Sequence, residues 1–213
     1  MTDLAATDWG AHFDMAQGRR DWPNEELVRF CAGLGREFGS GSRVLDAGCG
    51  DGSNLRLLVE SGADVVGIDG CYDAIWWAKR MEADALILGD VRRLPFLDGT
   101  FDLVVDCMVS QHLSWAEHAP LYAEYRRVLR PGGRLWIYHL DSDTKSRRLG
   151  VRGNGDVERL GLFPMVRGFC LPPWWMLSVL CRKIGFDVVR RGLRRIYPDG
   201  QVASYTIIEG RTT

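Results

Sequence analysis

Short apolar runs that end in an acidic residue recur through the first half of the chain. Their length and nearly continuous apolar character are typical of buried parallel strands. The segments between them repeat apolar residues every three to four positions, which predicts helices. Alternation of the two predicts an α/β fold. The runs are 43–46, 63–69 and 85–90, and they close on Asp46, Asp69 and Asp90.

The first run leads into a turn with three alternate glycines, Gly48, Gly50 and Gly52, before helical spacing resumes at 53–59. Such a turn suits a ligand cradle, because glycine allows close backbone approach and the following helix presents free N–H groups. A dinucleotide fold would place the third glycine one residue later. The acid before the turn, Asp46, would repel a pyrophosphate but attract an ammonium group. The pattern therefore favours a ligand that carries an amine.

The second acid, Asp69, follows Gly48 by about twenty residues, the distance at which an acid can accept hydrogen bonds from both hydroxyls of a ribose. Carboxylates are rarely placed at partly buried positions without a partner. Three successive strands that end in an acid therefore indicate a ligand site at the carboxyl edge of the sheet.

The rest of the chain continues the pattern and ends in two strands joined by a turn. The further predicted helices are 24–38, 72–81, 114–130 and 174–184, and the further predicted strands are 101–108, 134–140, 186–193 and 202–209.

Taken together, these motifs resemble the class I S-adenosylmethionine-dependent methyltransferases. The resemblance covers about residues 42–140, and the matching segments are 44–52, 67–69, 89–91, 101–105 and 129–135. It implies an α/β, Rossmann-like three-layer sandwich with a seven-stranded, mostly parallel sheet and a reversed last strand. It also implies S-adenosyl-L-methionine as methyl donor and S-adenosyl-L-homocysteine as product.

The resemblance assigns the methionine part of the cofactor to the first motif, the ribose to Asp69 and the adenine amine to Asp90. The residues expected to bind the cofactor are Asp46, Ala47, Gly48, Cys49, Gly50, Asp69, Gly70, Asp90, Val91, Cys107 and Met108.

The methyl acceptor is expected beside the segment 109–113, which follows the fourth strand. A general base there would serve an acceptor that must lose a proton, and His112 is the first choice. His139 and Asp141, at the end of the fifth strand, come next. Tyr138 and His139 cannot both face the pocket from a regular strand. Each histidine can instead be a structural or surface residue, because transfer of an activated methyl does not always need a base.

Charge, cysteine spacing and the absence of certain motifs restrict the binding partners that we expect. The formal net charge is −1, which gives no overall attraction to polyanions. The motif Asn-Pro-Pro-Tyr of enzymes that methylate DNA bases is absent after the fourth strand, so no DNA partner is expected. Six cysteines show neither a C-x-x-C pair nor metal spacing, which predicts a reducing cytoplasm and no metal. The sequence contains no run of about 18 apolar residues and no basic-then-apolar leader, so we expect no membrane partner.

We predict one methyltransferase domain over 1–213. Its parts are an N-terminal lid and helix (1–40), a cofactor-binding core (41–140), a loop-rich substrate insertion (141–171) and a C-terminal helix with a strand pair (172–213). Residues 1–23 either close as a lid or pack on the sheet edge. The expected acceptor is the O, N or C atom of a small molecule. An RNA or protein acceptor, or cofactor binding without methyl transfer, is the alternative, and monomer and homodimer both remain open.

Overall fold

The computed structural model describes residues 22–81, 83–142, 149–151, 156–160, 169–196 and 202–213. The predicted lid lies almost entirely outside these residues. The described part of the chain forms a seven-stranded sheet flanked by helices and a small three-stranded sheet.

The large sheet contains seven strands, which are β1 (Arg43–Ala47), β2 (Asp64–Asp69), β3 (Ala85–Leu88), β4 (Phe101–Cys107), β5 (Leu129–Leu140), β9 (Phe186–Ile196) and β10 (Val202–Thr212). Their order is β3-β2-β1-β4-β5-β10-β9. Strands β1 to β5 run parallel, while β10 is antiparallel to both β5 and β9. The predicted fold, with its reversed last strand, is confirmed.

The helices of the described residues cover both faces of this sheet. They are α1 (Glu25–Leu34), α2 (Ser53–Glu60), α3 (Tyr72–Ala78), α4 (Trp115–Val128) and α5 (Trp174–Ile184). Helix α1 ends earlier than the sequence pattern predicts, because Gly35 takes a positive φ of 54° at its C-terminus. A capping box of Ser114 and Glu117 fixes the start of α4 next to the tip of β4.

The core has two halves, one on each face of the sheet. Strand β5 shows the alternation: Ile137 packs in the half that includes α4 and α5, whereas Trp136 and Tyr138 pack in the half that includes α1. The ring of Tyr138 stacks on Tyr205 of β10 at 4.7 Å between centroids. The buried alternation fixes the register of the strands and hence which tips lie side by side.

The segment predicted to be loop-rich contains three short strands: β6 (Leu149–Val151), β7 (Asp156–Leu160) and β8 (Phe169–Cys170). They pair antiparallel in the order β6-β7-β8. Strands of two to five residues are too short to show a period, which explains why the pattern did not reveal them. Strand β8 approaches the 3-10 turn Ser110–His112, so the small sheet adjoins the carboxyl edge.

Within the part of the chain that the structure describes, no helix is long and apolar enough to span a bilayer.

Candidate functional site

The acidic strand tips lie next to one another, as the sequence predicts. Strand β1 lies between β2 and β4, and Asp46 is opposite Gly67 on one side and Val105 on the other. The next residue of β1, Ala47, is opposite Asp106 of β4. Asp69 ends β2 on the same edge. The parallel register therefore gathers the carboxylates of neighbouring strands around the glycine turn.

The glycine turn is tight at Gly48. This residue has a φ of 69°, and a Cβ atom there would lie 2.4 Å from a methyl group of Val109. Its N–H donates to the carbonyl of Ile68 at 2.7 Å, which ties the turn to β2. Glycine is therefore required at position 48 both by the backbone angle and by the space that the residue after β4 occupies.

The side chain of Asp69 holds the turn from the other side. Its Oδ2 accepts the N–H of Gly50 at 2.9 Å, and its Oδ1 accepts the N–H of Cys71 at 2.8 Å. Burial raises the pKa of Asp69, and the backbone N–H groups partly offset that effect. Each carboxylate oxygen has a second lone pair, so the side chain can still accept two hydroxyl groups of a ligand.

Asp46 is the least satisfied acid of the site. It is 1% exposed, and neither carboxylate oxygen has a hydrogen-bond partner. Burial raises the pKa of Asp46 to about 8, and the charges of Asp69 and Asp106 add to this. A buried carboxylate without donors is costly unless a ligand supplies them. An ammonium group would do so, which fits the amine of the methionine part of S-adenosylmethionine.

The third predicted acid, Asp90, lies two residues beyond β3 and is held by Arg92. The guanidinium Nη2 donates to Asp90 Oδ2 at 2.8 Å, and Nε contacts both carboxylate oxygens. Partial burial acts to raise the pKa of Asp90, but the hydrogen bonds and charge of Arg92 outweigh it and lower the pKa. Arg92 also binds Glu117 of α4 at 2.5 Å. Asp90 thus shares its carboxylate with Arg92, and any adenine amine must use the remaining lone pairs.

Three predicted cofactor residues are largely buried. Ala47 and Val91 belong to one half of the core, and Cys49 to the other. Cys107 is half-buried and Gly70 is exposed. A bound cofactor could therefore meet Ala47, Cys49 and Val91 through their backbone.

The segment after β4 is held by the buried acid Asp106. Its Oδ1 accepts the N–H groups of Val109 at 3.0 Å and Ser110 at 3.3 Å, and its Oδ2 accepts the hydroxyl of Tyr125 at 3.2 Å. Burial raises the pKa of Asp106 to about 6. Met108 takes a φ of 65°, an angle that non-glycine residues rarely adopt. Such local strain recurs at functional sites.

The first-choice catalytic residue, His112, is half-buried and lies in the 3-10 turn Ser110–His112. Its Nε2 lies 3.4 Å from the amide nitrogen of Gln111. The amide oxygen of Gln111 accepts the N–H of Leu140 at 3.1 Å, which requires the amide nitrogen to face His112. Gln111 thus links His112 to the tip of β5, although sequence reasoning did not select it.

The other two catalytic candidates are buried at the end of β5. The Nδ1 of His139 lies 2.5 Å from the carbonyl of Leu140, and burial together with nearby His118 lowers the pKa of His139 to about 3. Asp141 accepts the hydroxyl of Thr206 at 2.5 Å. His139 is therefore a poor proton acceptor at neutral pH, and Asp141 is bonded across to β10.

Among the described residues, no group of three or more histidine, cysteine or acidic side chains could hold a metal ion. His118, Arg92, Gln111 and Asp106 are the site neighbours that the sequence pattern did not assign. Only Asp106 had a usable signal, as an acid near the end of a predicted strand.

Comparison with known proteins finds a methyltransferase domain within the chain. Residues 45–137 match the methyltransferase domain family. A protein of Encephalitozoon cuniculi that carries the name of a methyltransferase is 40% identical over 119 residues, which are 55% of this chain and 54% of that protein. A demethylmenaquinone methyltransferase of Beutenbergia cavernae is 41% identical over 98 residues, 46% of this chain and 40% of that enzyme. A Mus musculus protein named for tRNA methyltransferase 9B is 35% identical over 109 residues, 51% and 24% of the two chains. The chain thus spans about half or less of each relative.

Solved structures share the fold. A Methanosarcina mazei S-adenosylmethionine-dependent methyltransferase superposes with a TM-score of 0.72 at 17% identity, over 89% of this chain and 98% of that one. The 1,6-didemethyltoxoflavin-N1-methyltransferase of Burkholderia thailandensis, solved with S-adenosylhomocysteine, gives 0.67 at 22% identity, over 89% and 77%. Residues 45–137 therefore match a methyltransferase domain, and the chain shares the fold of solved S-adenosylmethionine-dependent methyltransferases, with the same kind of mostly parallel sheet and reversed last strand.

Proposed function

We propose that this chain transfers a methyl group from S-adenosyl-L-methionine to an O, N or C atom of a small molecule. The observation that carries the proposal is Asp46, a buried carboxylate with both oxygens unpartnered beside a glycine turn that Asp69 holds. Asp46 would pair with the ammonium group of the cofactor, and Asp69 would accept the ribose hydroxyls. When bound, the cofactor supplies a methyl group already activated by its sulfonium.

The contribution of this chain is then to hold the acceptor in line and exclude water, which can supply about 7–11 kcal/mol of the barrier reduction. The segment after β4 serves this role, because Asp106 fixes its backbone and Gln111 orients His112. If the acceptor loses a proton, His112 is the residue we assign as its base. We place His139 and Asp141 beside the acceptor, with binding as their main task.

Calorimetry and product analysis test the proposal. We expect S-adenosylhomocysteine to bind the purified protein and S-adenosylmethionine with a small-molecule pool to give a methylated product, detected by mass spectrometry. Replacing His112 by Ala should lower turnover by about 10²–10⁴-fold if it acts as the base. Cofactor binding without any methylated product from such pools would contradict the small-molecule assignment.

An RNA acceptor is the second candidate, favoured by the similarity to the protein named for tRNA methyltransferase 9B. The arginines of β9 give it little support, because Arg191 pairs with Glu209 at 2.5 Å and Arg195 with Glu25 at 3.0 Å. Retention on tRNA at physiological salt would favour this candidate over a small molecule. If the purified protein binds S-adenosylmethionine but forms no S-adenosylhomocysteine with any acceptor, the result supports the remaining alternative, cofactor binding without methyl transfer.

A further inference from the structure

Two buried histidines, His118 of α4 and His139 of β5, lie side by side near the tip of β4. Their ring centroids are 5.9 Å apart, and both side chains are fully buried. His139 follows Tyr138, whose carbonyl accepts the N–H of Met108 at 2.8 Å. The pair therefore adjoins the segment that we assign to the acceptor.

Each imidazole is fixed in one tautomer by a backbone carbonyl. The Nδ1 of His118 lies 2.9 Å from the carbonyl of Ser114, and the Nδ1 of His139 lies 2.5 Å from that of Leu140. A carbonyl only accepts, so each Nδ1 carries the hydrogen. Burial lowers the pKa of both side chains, so the rings are neutral at pH 7 and each Nε2 presents a lone pair.

Neither lone pair has a donor. The Nε2 atoms of both His118 and His139 are buried without a hydrogen-bond partner. A buried polar atom left in this state costs free energy, which the single hydrogen bond that each ring makes through Nδ1 only partly offsets. Two adjacent unsatisfied acceptors next to a candidate active site therefore indicate a ligand that supplies hydrogen.

The surroundings define the kind of ligand. Two aromatic rings flank His118, with ring centroids at 5.1 Å for Trp115 and 5.8 Å for Tyr122. Imidazole lone pairs repel an anion. The carboxylate of Asp106 repels it as well, since its charge is near enough to Tyr122 to help raise the pKa of that hydroxyl. A charged ammonium would lose its hydration without a free counter-charge, because both rings are neutral and both oxygens of Asp106 already accept hydrogen bonds. An uncharged aromatic ring that bears N–H or O–H meets all three conditions.

We propose that His118 and His139 form the acceptor subsite and select an uncharged aromatic or heteroaromatic acceptor through its N–H or O–H hydrogen. This inference rests on the proposed methyltransferase function and names its substrate class. Both lone pairs are closed off from water in this conformation, so the acceptor enters by displacing the side chains that cover them.

Nitrogen NMR of the full chain, with ¹⁵N-labelled histidine and saturating S-adenosylhomocysteine, tests the subsite. The probes are indole and phenol, their methylated counterparts 1-methylindole and anisole, and benzoate as the anion. We expect a donor probe to shift the Nε2 resonances of His118 and His139, and to bind about tenfold more tightly than its methylated counterpart, the factor that one hydrogen bond provides. Benzoate should not bind there.

Variants assign the effect to the pair. His118→Phe and His139→Phe should each reduce the preference for indole over 1-methylindole while leaving the affinity for S-adenosylhomocysteine within about twofold. Trp175→Phe, on the exposed face of α5, is the matched control and should keep the preference. If either histidine variant fails to fold, the resonance shifts of the unmodified protein still decide the question.

Nε2 resonances that ignore every donor probe, or equal affinity for both members of each pair, would overturn the inference; a permanently bound water or a purely structural pair would then explain the histidines. Failure of the proposed function looks different: the protein would then either not bind S-adenosylhomocysteine in the calorimeter or bind it and give no methylated product from any small-molecule pool, and the inference would fall with it.

Discussion

Asp69 accepts the backbone N–H of Gly50 at 2.9 Å, so the tip of the second strand holds the glycine turn that follows the first. The same carboxylate is the one we assign to the ribose. One side chain therefore shapes the turn and, in our assignment, contacts the ligand.

Replacing Asp69 by Ala should weaken binding of S-adenosylhomocysteine by about 1.5–3 kcal/mol, the usual value for hydrogen bonds to a charged group. Titration calorimetry measures this change. Asp64→Ala at the exposed start of the same strand is the control and should bind as the unmodified protein does. Unchanged affinity in the Asp69 variant would refute the ribose assignment.

Much of this edge could be predicted from the sequence because its determinants are local. A strand is a short apolar run, its end is an acid, and the glycines follow directly, so Asp46 and Asp69 were identified from their spacing. The contacts of Arg92 with Glu117, and of Gln111 with the N–H of Leu140, join residues far apart in the chain. Such contacts depend on how α4 packs against β5, which no local pattern encodes.

The same limit applies to the histidines. His139 was selected because it ends a predicted strand, but its neutral state follows from burial and from His118, a residue without any placement signal in the sequence. The end of α1 shows a smaller failure. Apolar spacing continues to residue 38, yet the α-helix ends at Leu34, because Gly35 takes a positive φ and a 3-10 turn (Gly35–Glu37) follows.

Asp46 predicts a pH dependence of cofactor binding. Its pKa is raised to about 8 in the free protein, and an ammonium group pairs only with the ionised carboxylate. Binding should therefore release a proton, and affinity for S-adenosylhomocysteine should rise with pH up to about 8. Calorimetry in buffers of different ionisation enthalpy measures the proton release. Asp46→Asn should bind weakly and with little pH dependence from this group.

The same carboxylate predicts a gain in stability for Asp46→Asn without ligand. Below about pH 4 the acid is protonated in both folded and unfolded chains. As the pH rises towards 8, it ionises in the unfolded chain alone, and this favours unfolding. The free energy of unfolding of the Asn variant, relative to the unmodified protein, should therefore increase between about pH 4 and pH 8. Urea unfolding at several pH values measures it, and a constant difference would contradict the raised pKa.

His139 predicts the opposite dependence at acid pH. Its pKa is lowered from 6.5 to about 3, so below pH 6.5 the unfolded chain takes up a proton that the folded chain does not. Its contribution to stability is complete above about pH 6.5 and is lost as the pH falls towards 3. His139→Phe should therefore lose less stability between pH 7.5 and pH 5 than the unmodified protein. Urea midpoints at the two pH values test this, and parallel losses would contradict a neutral buried imidazole.

Gly48 and Val109 allow the strain and the steric clash at the turn to be measured separately. In Gly48→Ala, the residue has a positive φ of 69° and its Cβ atom would lie 2.4 Å from a methyl group of Val109. In Gly132→Ala, the φ is similar at 75°, but no heavy atom lies within 4 Å of the added Cβ. The positive φ alone costs an L-residue about 1–2 kcal/mol, so Gly132→Ala should lower the free energy of unfolding in urea by that amount. Gly48→Ala should cost clearly more, and adding Val109→Ala should recover the excess. Equal costs for the two glycine variants would show that Val109 moves aside easily, and that the close approach of β4 to the turn does not restrict residue 48.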